Sequence, residues 1–561
     1  MRIRRNDFGV LSPPTLGTWE PTMTVTVVIP AHDCQETLDL TLAALSAQTY
    51  PAHLVDVVVV DDGSDPPLQA AGPGDPPRHA SRPVDPPRPA RVRVERVRDS
   101  WGRAAAVQTG LEAATGDVVL VLDADMVPHP DHVEAQMRWH HLAPYLVVLG
   151  WIDFTQPESP PTPAEVAAGA KDLFPMSPHR HDWAEEIIAA HDGLRSAPSS
   201  LVSRVHVGAT ASYPAWLLRA CGGMDVSLKL AEDTELGYRL TQAGAVFVPD
   251  PEARAWHLGL PTAMRSFAEL KRYNDPFVAD RVPYRRYLRG EQGRQWLVPY
   301  VDAVVEAGSY EDVRATVDGL LAGSLPDVRV TVTGPWEWLT DARRSPLADP
   351  LLDLRLLHAQ FTHDPRVRLD GAPSGVAPFR LLCPPGWMPG HDTVERLVAH
   401  LEDSDGGVLC VALGERPDGV VAARLERTAA LSRAALVIRP GEILDDVLDE
   451  VFGVEWVDGA EFGFTRRPRV YPPRRRPLPE HERLARQREK ELARLRERTA
   501  ALRAEVAQLR REAAKGRRDT ARWKEKAEHW RREAVRLARE RNRTVLNRAV
   551  RRVRSLTFPG R

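Results

Sequence analysis

Two carboxylates that directly follow a short apolar run are the residues of this chain best placed to do chemistry. The run is Val118–Leu122, and the carboxylates are Asp123 and Asp125. Five valines and leucines in succession predict a buried strand of a parallel sheet, and ligands bind at the carboxyl ends of such strands. Paired carboxylates at that place favour a divalent cation, which completes its shell with water and substrate phosphates. The alternative is an Asp-rich turn that caps the next helix.

A second acidic strand exit lies upstream of this pair. Thr24–Ile29 predicts a first strand, apolar residues at helical spacing follow within 38–45, and Val55–Val60 predicts a second buried strand that ends at Asp61–Ser64. Strand, helix and strand in this order form a βαβ unit with a right-handed crossover. Two acidic exits from one sheet indicate a site for a nucleotide and a metal.

A third acidic cluster, Glu232–Glu235, opens a predicted helix that runs to Leu240. Carboxylates are favoured at a helix N-terminus by the macrodipole, so helix capping is the structural interpretation of this cluster. The chemical interpretation is a group of acids that completes the site at the sheet edge.

Taken together, the three clusters resemble the inverting glycosyltransferases of family 2, which have the GT-A fold, over about residues 24 to 257. The matching segments are Val28–Ala31, Val60–Ser64, Arg103–Ala106, Gly116–Asp125 and Glu232–Leu236. The resemblance implies transfer of a sugar from a nucleotide-diphosphate donor to a hydroxyl acceptor. It also implies a GT-A fold, which is an α/β architecture.

The resemblance assigns a metal, Mn²⁺ or Mg²⁺, to Asp123 and Asp125, with Asp123 also contacting the donor. Such an ion stabilises the charge that the leaving diphosphate gains as the glycosidic bond breaks. His257 falls where several relatives supply a third ligand, and an imidazole suits manganese better than magnesium. The alternative for His257 is a packed core residue beside Trp256.

The resemblance also assigns the donor pocket. Asp62 is the candidate that contacts the nucleotide base, Pro30, Ala31 and His32 line the pocket, and Arg103 lies near the donor phosphates. Relatives often carry Tyr or Asn near the position of His32.

Inversion requires a base opposite the leaving group that takes the proton of the acceptor hydroxyl. The resemblance gives this role to Asp233. Glu232 is its competitor or helper, and Glu235 orients or caps the helix.

Two histidine-rich segments, Trp139–His141 and Ser177–Asp182, invite a metal interpretation, but their spacing matches no ligand set. The interpretation that we favour is an acceptor-side loop with solvated histidines. Loops of this kind often decide which acceptor binds.

The composition bounds these inferences. A chain of 561 residues accommodates two or three domains. Its four cysteines lie scattered without paired spacing, which favours a reducing compartment and argues against a disulfide framework or a zinc site. The sequence shows neither a signal peptide nor an apolar run long enough to cross a bilayer. We therefore expect a cytoplasmic protein that contacts the inner face of the cell membrane only peripherally.

Shifts in composition and breaks between predicted elements divide the chain into seven predicted segments. They are an N-terminal extension (1–22), a GT-A domain (23–270) with a Pro-rich, disordered or extended insertion (65–90), a helical connector (271–297), a degenerate GT-A-like domain (298–470), a Pro/Arg linker (471–480), a coiled coil (481–545) and a basic tail (546–561).

The prediction of a second GT-A-like domain comes from sequence similarity between two parts of the chain. Thr316–Gly334 resembles the segment that begins at Thr41, and Phe379–Pro389 resembles Val119–Pro128. This alignment puts Pro384 and Gly386 where Asp123 and Asp125 stand, which predicts a copy without metal carboxylates and without catalysis. The alternative is chance similarity between two βαβ units. If the repeat is real, the second copy packs against the first or presents the acceptor.

The C-terminal tail has a different composition. Apolar or small residues recur at heptad spacing from Leu492 to Leu537, which predicts a coiled coil for self-association or for a partner helix. The alternative is one amphipathic helix lying on its own protein. Residues 471–561 hold 30 Lys and Arg against 12 Asp and Glu, whereas the whole chain is balanced at −2. The basic end favours contact with an anionic membrane surface, and the absence of a recognised module argues against nucleic acid.

The resemblance thus implies a metal-dependent inverting transferase of cell-envelope or exported polysaccharide synthesis, with a lipid-linked acceptor. The rival hypothesis is a non-catalytic assembly protein that uses the GT-A domain as a binding platform. A sugar nucleotidylyltransferase has a related sheet, but Pro30-Ala31-His32-Asp33 is not the Gly-rich loop that such an enzyme carries after its first strand.

Overall fold

The computed structural model describes residues 1–70, 88–169, 171–290, 294–341, 345–369, 375–417 and 419–468, together with a few positions between 498 and 537. The chain divides into two units, Met1–Arg467 and Pro468–Arg561. In the second unit the described positions between 498 and 537, among them Trp530, are helical. The predicted linker, coiled coil and basic tail otherwise lie outside the described residues.

The first half of unit 1 is built on an eight-stranded sheet. Its strands are β1 (Val25–Ala31), β2 (Val55–Asp61), β3 (Val92–Arg96), β4 (Val118–Leu122), β5 (Met126–Pro128), β6 (Leu146–Thr155), β7 (Thr210–Pro214) and β8 (Val246–Leu258). The order is β3-β2-β1-β4-β7-β6-β8-β5. The first four strands in that order are parallel, and β7 runs antiparallel to both β4 and β6. The predicted strands at 24–29, 55–60 and 118–122 are therefore confirmed.

Helices cover both faces of this sheet. They are α1 (Gln35–Ser46), α2 (Arg103–Ala113), α3 (His132–His140), α4 (Pro163–Ala167), α5 (Asp182–Ala190), α6 (Ala215–Ala220) and α7 (Glu232–Gln242). Helix α2 packs on one face through Ala104, Val107 and Leu111, and α1 packs on the other through Leu38 and Leu42. Because both faces are covered, β4 is apolar and buried throughout.

Two helices, α8 (Thr262–Arg265) and α9 (Phe267–Arg281), connect the first sheet to the second. A helical connector was expected over 271–297. The helix in fact begins at Phe267 and ends at Arg281, and a 3-10 turn at Arg286–Leu288 follows it.

A second sheet of seven strands follows. Its strands are β9 (Val301–Glu306), β10 (Val328–Thr333), β11 (Val367–Arg368), β12 (Phe379–Leu382), β14 (Val408–Arg416), β15 (Gly419–Arg427) and β16 (Val454–Asp458), while β13 (Trp387–Met388) and β17 (Thr465–Arg466) form a separate pair. Its helices are α10 (Tyr310–Leu321), α11 (Leu352–Phe361), α12 (Thr393–Asp403), α13 (Thr428–Val437) and α14 (Leu444–Val451).

The two sheets have the same topology. The order β11-β10-β9-β12-β15-β14-β16 repeats β3-β2-β1-β4-β7-β6-β8 strand for strand, with the same parallel and antiparallel neighbours. Val25 in β1 pairs with Val118 in β4, as Val301 in β9 pairs with Phe379 in β12. Counted from these pairs, Pro384 and Gly386 occupy the positions of Asp123 and Asp125.

The N-terminal residues pack into unit 1 rather than extending from it. Asn6 is buried, donates to the carbonyls of Leu194 and Phe247 and accepts from the Phe247 amide. Arg433 of α13 is also buried and donates to the carbonyls of Ala245 (2.8 Å) and Arg5 (3.0 Å). Burial lowers the pKa of Arg433 to about 10. These contacts join the N-terminal segment and the two sheets.

The two ends of the predicted Pro-rich insertion pack against the first half of the chain. Leu68 and Ala70 are buried in the core, and Arg88 forms a buried ion pair with Asp39 of α1 at 2.8 Å. Residues 71–87, the rest of the insertion, lie outside the described residues. The expectation of a disordered or extended stretch over the whole of 65–90 is therefore wrong at both ends, because these residues supply side chains to the core.

Candidate active site

The structure brings Asp125 and His257 together at the edge of the first sheet. His257 lies on β8, which pairs with β5 immediately after Asp125. The His257 Nδ1 lies 3.1 Å from the Gly259 carbonyl, to which it donates, and Nε2 faces the Asp125 carboxylate at 3.7 Å. Burial raises the pKa of Asp125, His257 acts in the opposite direction, and the charge of Asp123 raises the pKa further. A carboxylate and a carbonyl-oriented imidazole facing each other are a donor set suited to a divalent metal.

The pair also fits such a metal in its dimensions. The separation of 3.7 Å between His257 Nε2 and the Asp125 carboxylate is too long for a hydrogen bond. It is shorter than the sum of two metal–ligand bonds of about 2.1 Å each, so one ion could contact both atoms. No group of three or more His, Cys, Asp or Glu side chains among the described residues is arranged to hold a metal. The remaining ligands would therefore be substrate phosphates and water, as is usual for Mg²⁺.

Asp123, the other half of the predicted metal pair, faces Arg103 instead. Arg103 at the start of α2 donates to the Asp123 carboxylate through Nε at 2.9 Å and to Glu232 through a second nitrogen at 3.0 Å. It also donates to the Gly208 carbonyl. Burial lowers the pKa of Arg103, but the charges of Asp123, Glu232 and Asp233 outweigh this and leave it raised. Arg103 is thus a fixed cation that links the exit of β4 to the start of α7.

Asp233 lies in the first turn of α7, where the sequence places the base. Its Oδ1 accepts from the Thr234 amide at 2.7 Å, and its Oδ2 lies 3.5 Å from the Gly208 amide. Its backbone carbonyl accepts from Nδ1 of the buried His206 at 2.8 Å, whose Nε2 accepts from the Tyr213 hydroxyl at 2.7 Å. These contacts orient the start of α7, and among the described residues no ion pair joins the Asp233 carboxylate to Arg103.

Glu232, the competitor for the base role, is buried and held by Arg103. Burial raises the pKa of Glu232, as does the charge of Asp233. Glu235 is held through both carboxylate oxygens by Arg239, four residues further along α7. Of the three acids, Glu232 and Glu235 are therefore paired with arginines, whereas the Asp233 carboxylate accepts from backbone amides and from the Thr234 hydroxyl at 3.4 Å.

The predicted donor-binding residues lie at the exits of β1 and β2. The Asp62 carboxylate accepts from the Gly102 amide at 2.6 Å, and its amide donates to the Ala31 carbonyl at 2.9 Å. His32 directly follows Pro30 and Ala31 and is largely exposed. Its Nδ1 lies 2.9 Å from the Asp62 carbonyl. Gly102 precedes Arg103, so one loop connects the donor residues to the Arg103 network.

The sequence interpretation missed His181. The residue is half-buried rather than solvated, and its ring lies 5.0 Å from that of Phe154, which itself lies 5.3 Å from the ring of His257. Burial, and to a lesser extent the nearby His257, lowers the pKa of His181 to about 4. The solvated-loop interpretation holds for the exposed His179 and is wrong for His181. The contact depends on Phe154 in β6, which local spacing could not reveal.

The same interpretation is wrong for Trp139–His141. These residues end helix α3 and the turn after it, and His140 is buried, with its Nε2 2.8 Å from the Ser212 hydroxyl. Burial lowers the pKa of His140 to about 3. The segment is a core helix because Trp139 packs against Phe8 of the N-terminal segment, a contact across the chain.

The first half of the chain is similar in sequence to known glycosyltransferases. Residues 26–182 match the family described as Glycosyl transferase family 2. The chain is 28% identical over 236 residues to the Pre-mycofactocin glycosyltransferase of Mycobacterium tuberculosis, covering 42% of each chain. It is 25% identical over 305 residues to the chondroitin synthase of Escherichia coli, covering 50% of this chain and 42% of that one. The chain therefore spans less than half the length of these curated relatives.

Among solved structures, the mannosyltransferase PcManGT from Pyrobaculum calidifontis in complex with GDP-Man and Mn²⁺ is 18% identical, covering 49% of this chain and 69% of that one, with a TM-score of 0.30. S. aureus TarS 1-349 in complex with UDP-GlcNAc is 16% identical, covering 46% and 67%, also with a TM-score of 0.30. The predicted α/β fold is confirmed for the first sheet, whose strands and helices follow the predicted order. Residues 26–182 match glycosyl transferase family 2.

Proposed function

We propose that the chain is a metal-dependent inverting glycosyltransferase that moves a sugar from a nucleotide-diphosphate sugar to a hydroxyl acceptor. The observation that carries the proposal is the convergence of three groups at one sheet edge: Asp125 facing His257, Arg103 linking Asp123 to Glu232, and Asp233 at the start of α7. The family match and relatives that are named as glycosyltransferases support it.

Each residue then has a defined task. Asp62, Pro30, Ala31 and His32 bind the nucleotide at the exits of β1 and β2. Asp125 and His257 hold Mn²⁺ or Mg²⁺, which when bound stabilises the charge of the departing diphosphate.

Asp233 accepts the proton of the acceptor hydroxyl as that oxygen attacks the anomeric carbon. Glu232, neutralised by Arg103, helps by fixing the first turn of α7. Arg103 holds Asp123 toward the donor. Since the base lies in a different element from the donor residues, the acceptor can approach from the face opposite the leaving group, which is the requirement for inversion.

The configuration of the product tests the proposal. An α-linked donor sugar should give a β-linked product, observed by proton NMR of the anomeric signal during turnover. A product that retains the donor configuration would contradict the role of Asp233. If the chain neither transfers nor hydrolyses any nucleotide sugar, the rival proposal of a non-catalytic assembly protein gains support.

We also propose that the second sheet is a duplicated GT-A-like domain that has lost metal binding. At the positions of Asp123 and Asp125 it carries Pro384 and Gly386. Arg466 pairs with Trp387 in β17 and β13, as His257 pairs with Met126 in β8 and β5, so a cation replaces the metal-binding imidazole. The second domain would then serve packing or acceptor presentation.

The setting of the reaction is a proposal as well. We propose a cytoplasmic enzyme of cell-envelope or exported polysaccharide synthesis, whose basic tail contacts the inner membrane surface and whose coiled coil associates with itself or with a partner helix. In the part of the chain that the structure describes, no helix is long and apolar enough to cross a membrane. Deleting residues 480–561 should leave turnover intact but change the oligomer size or the retention on anionic vesicles.

A further inference from the structure

A pocket of about 220 Å³ lies beside the proposed base, between the first sheet and the second. Thr234, the neighbour of Asp233 in α7, lines it from one side, and Tyr300, which precedes β9, lines it from the other. Arg204 and Arg285 also line the pocket. None of the residues given roles in donor or metal binding lines it.

Arg204 and Arg285 have no carboxylate partner in the described part of the chain. Arg204 is exposed and Arg285 is half-buried. Arg285 hydrogen-bonds to Tyr287 and lies close enough to Arg204 for the two charges to repel each other. Burial lowers the pKa of Arg285, and Arg204 lowers it further, while Tyr287 and Asp233 act in the opposite direction. An anionic ligand placed between two neighbouring guanidinium groups relieves their repulsion.

The other charged residues of the pocket are Arg286 and Glu402. Arg286 forms an ion pair with Asp327 at 2.8 Å and lies over the Tyr300 ring at 4.3 Å. The Glu402 carboxylate accepts from the Tyr300 hydroxyl at 2.6 Å. Arg204 and Arg285 therefore outnumber the one carboxylate that lines the pocket and leave it with a net positive charge.

We propose that Arg204 and Arg285 bind an anionic group of the acceptor, a phosphate or a carboxylate, and so hold the acceptor hydroxyl at Asp233. Guanidinium groups bind phosphate and carboxylate through paired hydrogen bonds. The donor diphosphate has its own site at Asp125 and His257, so the cationic pocket serves the second substrate. The inference rests on the proposed function, since it takes Asp233 as the base.

The residues around the two arginines suit such a ligand. The hydroxyls of Ser200 and Ser203 line the pocket, and the Tyr287 ring is exposed at its rim. Hydroxyl groups complete the hydrogen bonds of an anion, and an aromatic face covers the apolar face of a sugar ring. The enzyme would then select acceptors that carry a negative charge close to the hydroxyl that reacts.

The test uses the full chain with inorganic phosphate and sodium glucuronate as probes, titrated by calorimetry with chelator present so that the metal site takes no part. Wild type should bind at least one probe, and Arg204→Gln and Arg285→Gln should each weaken binding about tenfold. The matched control is Arg314→Gln, an exposed arginine of α10 that is paired with Asp318. Preference for phosphate indicates a phosphorylated acceptor, and preference for glucuronate indicates an acidic sugar.

Two results would overturn the inference. One is that wild type binds neither probe, and the other is that the Arg204→Gln/Arg285→Gln variant binds them as tightly as wild type does. Donor hydrolysis without acceptor is measured on the same proteins. If wild type hydrolyses its donor normally while the pocket binds no anion, only the inference fails, whereas lack of hydrolysis with any donor indicates failure of the proposed function.

Discussion

Replacing Asp233 with Asn tests the assignment of the base with little change to the fold. The Asn side-chain oxygen can still accept from the Thr234 amide, as Oδ1 does at 2.7 Å. The other carboxylate oxygen is only 3.5 Å from the Gly208 amide, a contact at the limit of hydrogen bonding whose loss costs little. The His206 contact is to the backbone carbonyl and is unaffected. Loss of the base is therefore the main effect of the substitution.

The expected effect is on kcat. A positioned general base contributes about 10²–10⁴-fold, which corresponds to about 2.7–5.4 kcal/mol of barrier. Donor affinity should not change, because Asp62, Asp125 and His257 are intact. The assay is release of the nucleotide diphosphate during transfer, with donor binding measured separately by calorimetry.

Glu235→Gln is the matched control, since Glu235 lies in the same turn but is held by Arg239, and its transfer rate should stay near that of wild type. Transfer by Asp233→Asn within about tenfold of wild type, together with a larger loss in Glu232→Gln, would refute the reasoning and make Glu232 the base.

Three further predictions concern the metal pair, the core and pH. His257→Ala should raise the Mn²⁺ concentration for half-maximal activity about 10–100-fold, on the scale of lost metal-site contacts. Gly110→Ala should lower the free energy of unfolding in urea by about 1–3 kcal/mol, because the new Cβ would lie 2.2 Å from a Val28 methyl. Stability should fall as the pH drops from 6.5 towards 4, because burial lowers the pKa of His132 to about 4 and that of His140 to about 3 in the folded state. The unfolded chain then binds more protons, at a cost on the order of 3 kcal/mol for His132.

Matched variants check these predictions. Gly290→Ala, where a Cβ would meet nothing within 4 Å, should leave the urea midpoint unchanged. His140→Gln should flatten the dependence of stability on pH, whereas exposed His179→Gln should alter neither that dependence nor the metal requirement. A pH dependence that is identical in wild type and His140→Gln would show that His140 is not buried as a neutral ring.

The elements that carry the site were predictable because their signals are local. The apolar run Val118–Leu122 forms β4, and the acidic cluster at Glu232 opens α7. The resemblance to family 2 also identified His257, although only the structure shows its Nε2 facing Asp125. The sequence similarity between the two halves aligned Pro384 with Asp123, and the strand register gives the same correspondence.

Contacts between segments that lie far apart in the chain could not be predicted from the sequence. Arg103 was expected near the phosphates, but its partner Glu232 lies 129 residues away, and no local pattern encodes that pairing. His181 approaches His257 only through Phe154 of another strand. Arg204, in the pocket beside the base, lies in a 3-10 turn without any motif.

The central claim is that Asp125 and His257 hold the metal that binds the donor. Its most direct test is calorimetric titration of a panel of nucleotide sugars into wild type and Asp125→Ala, with Mn²⁺, with Mg²⁺ and with chelator. We predict that one donor binds wild type tightly only when metal is present, and that Asp125→Ala loses this binding because the substitution removes the carboxylate that faces His257. Metal-dependent binding that survives in Asp125→Ala, or no binding of any donor to wild type, would contradict the account.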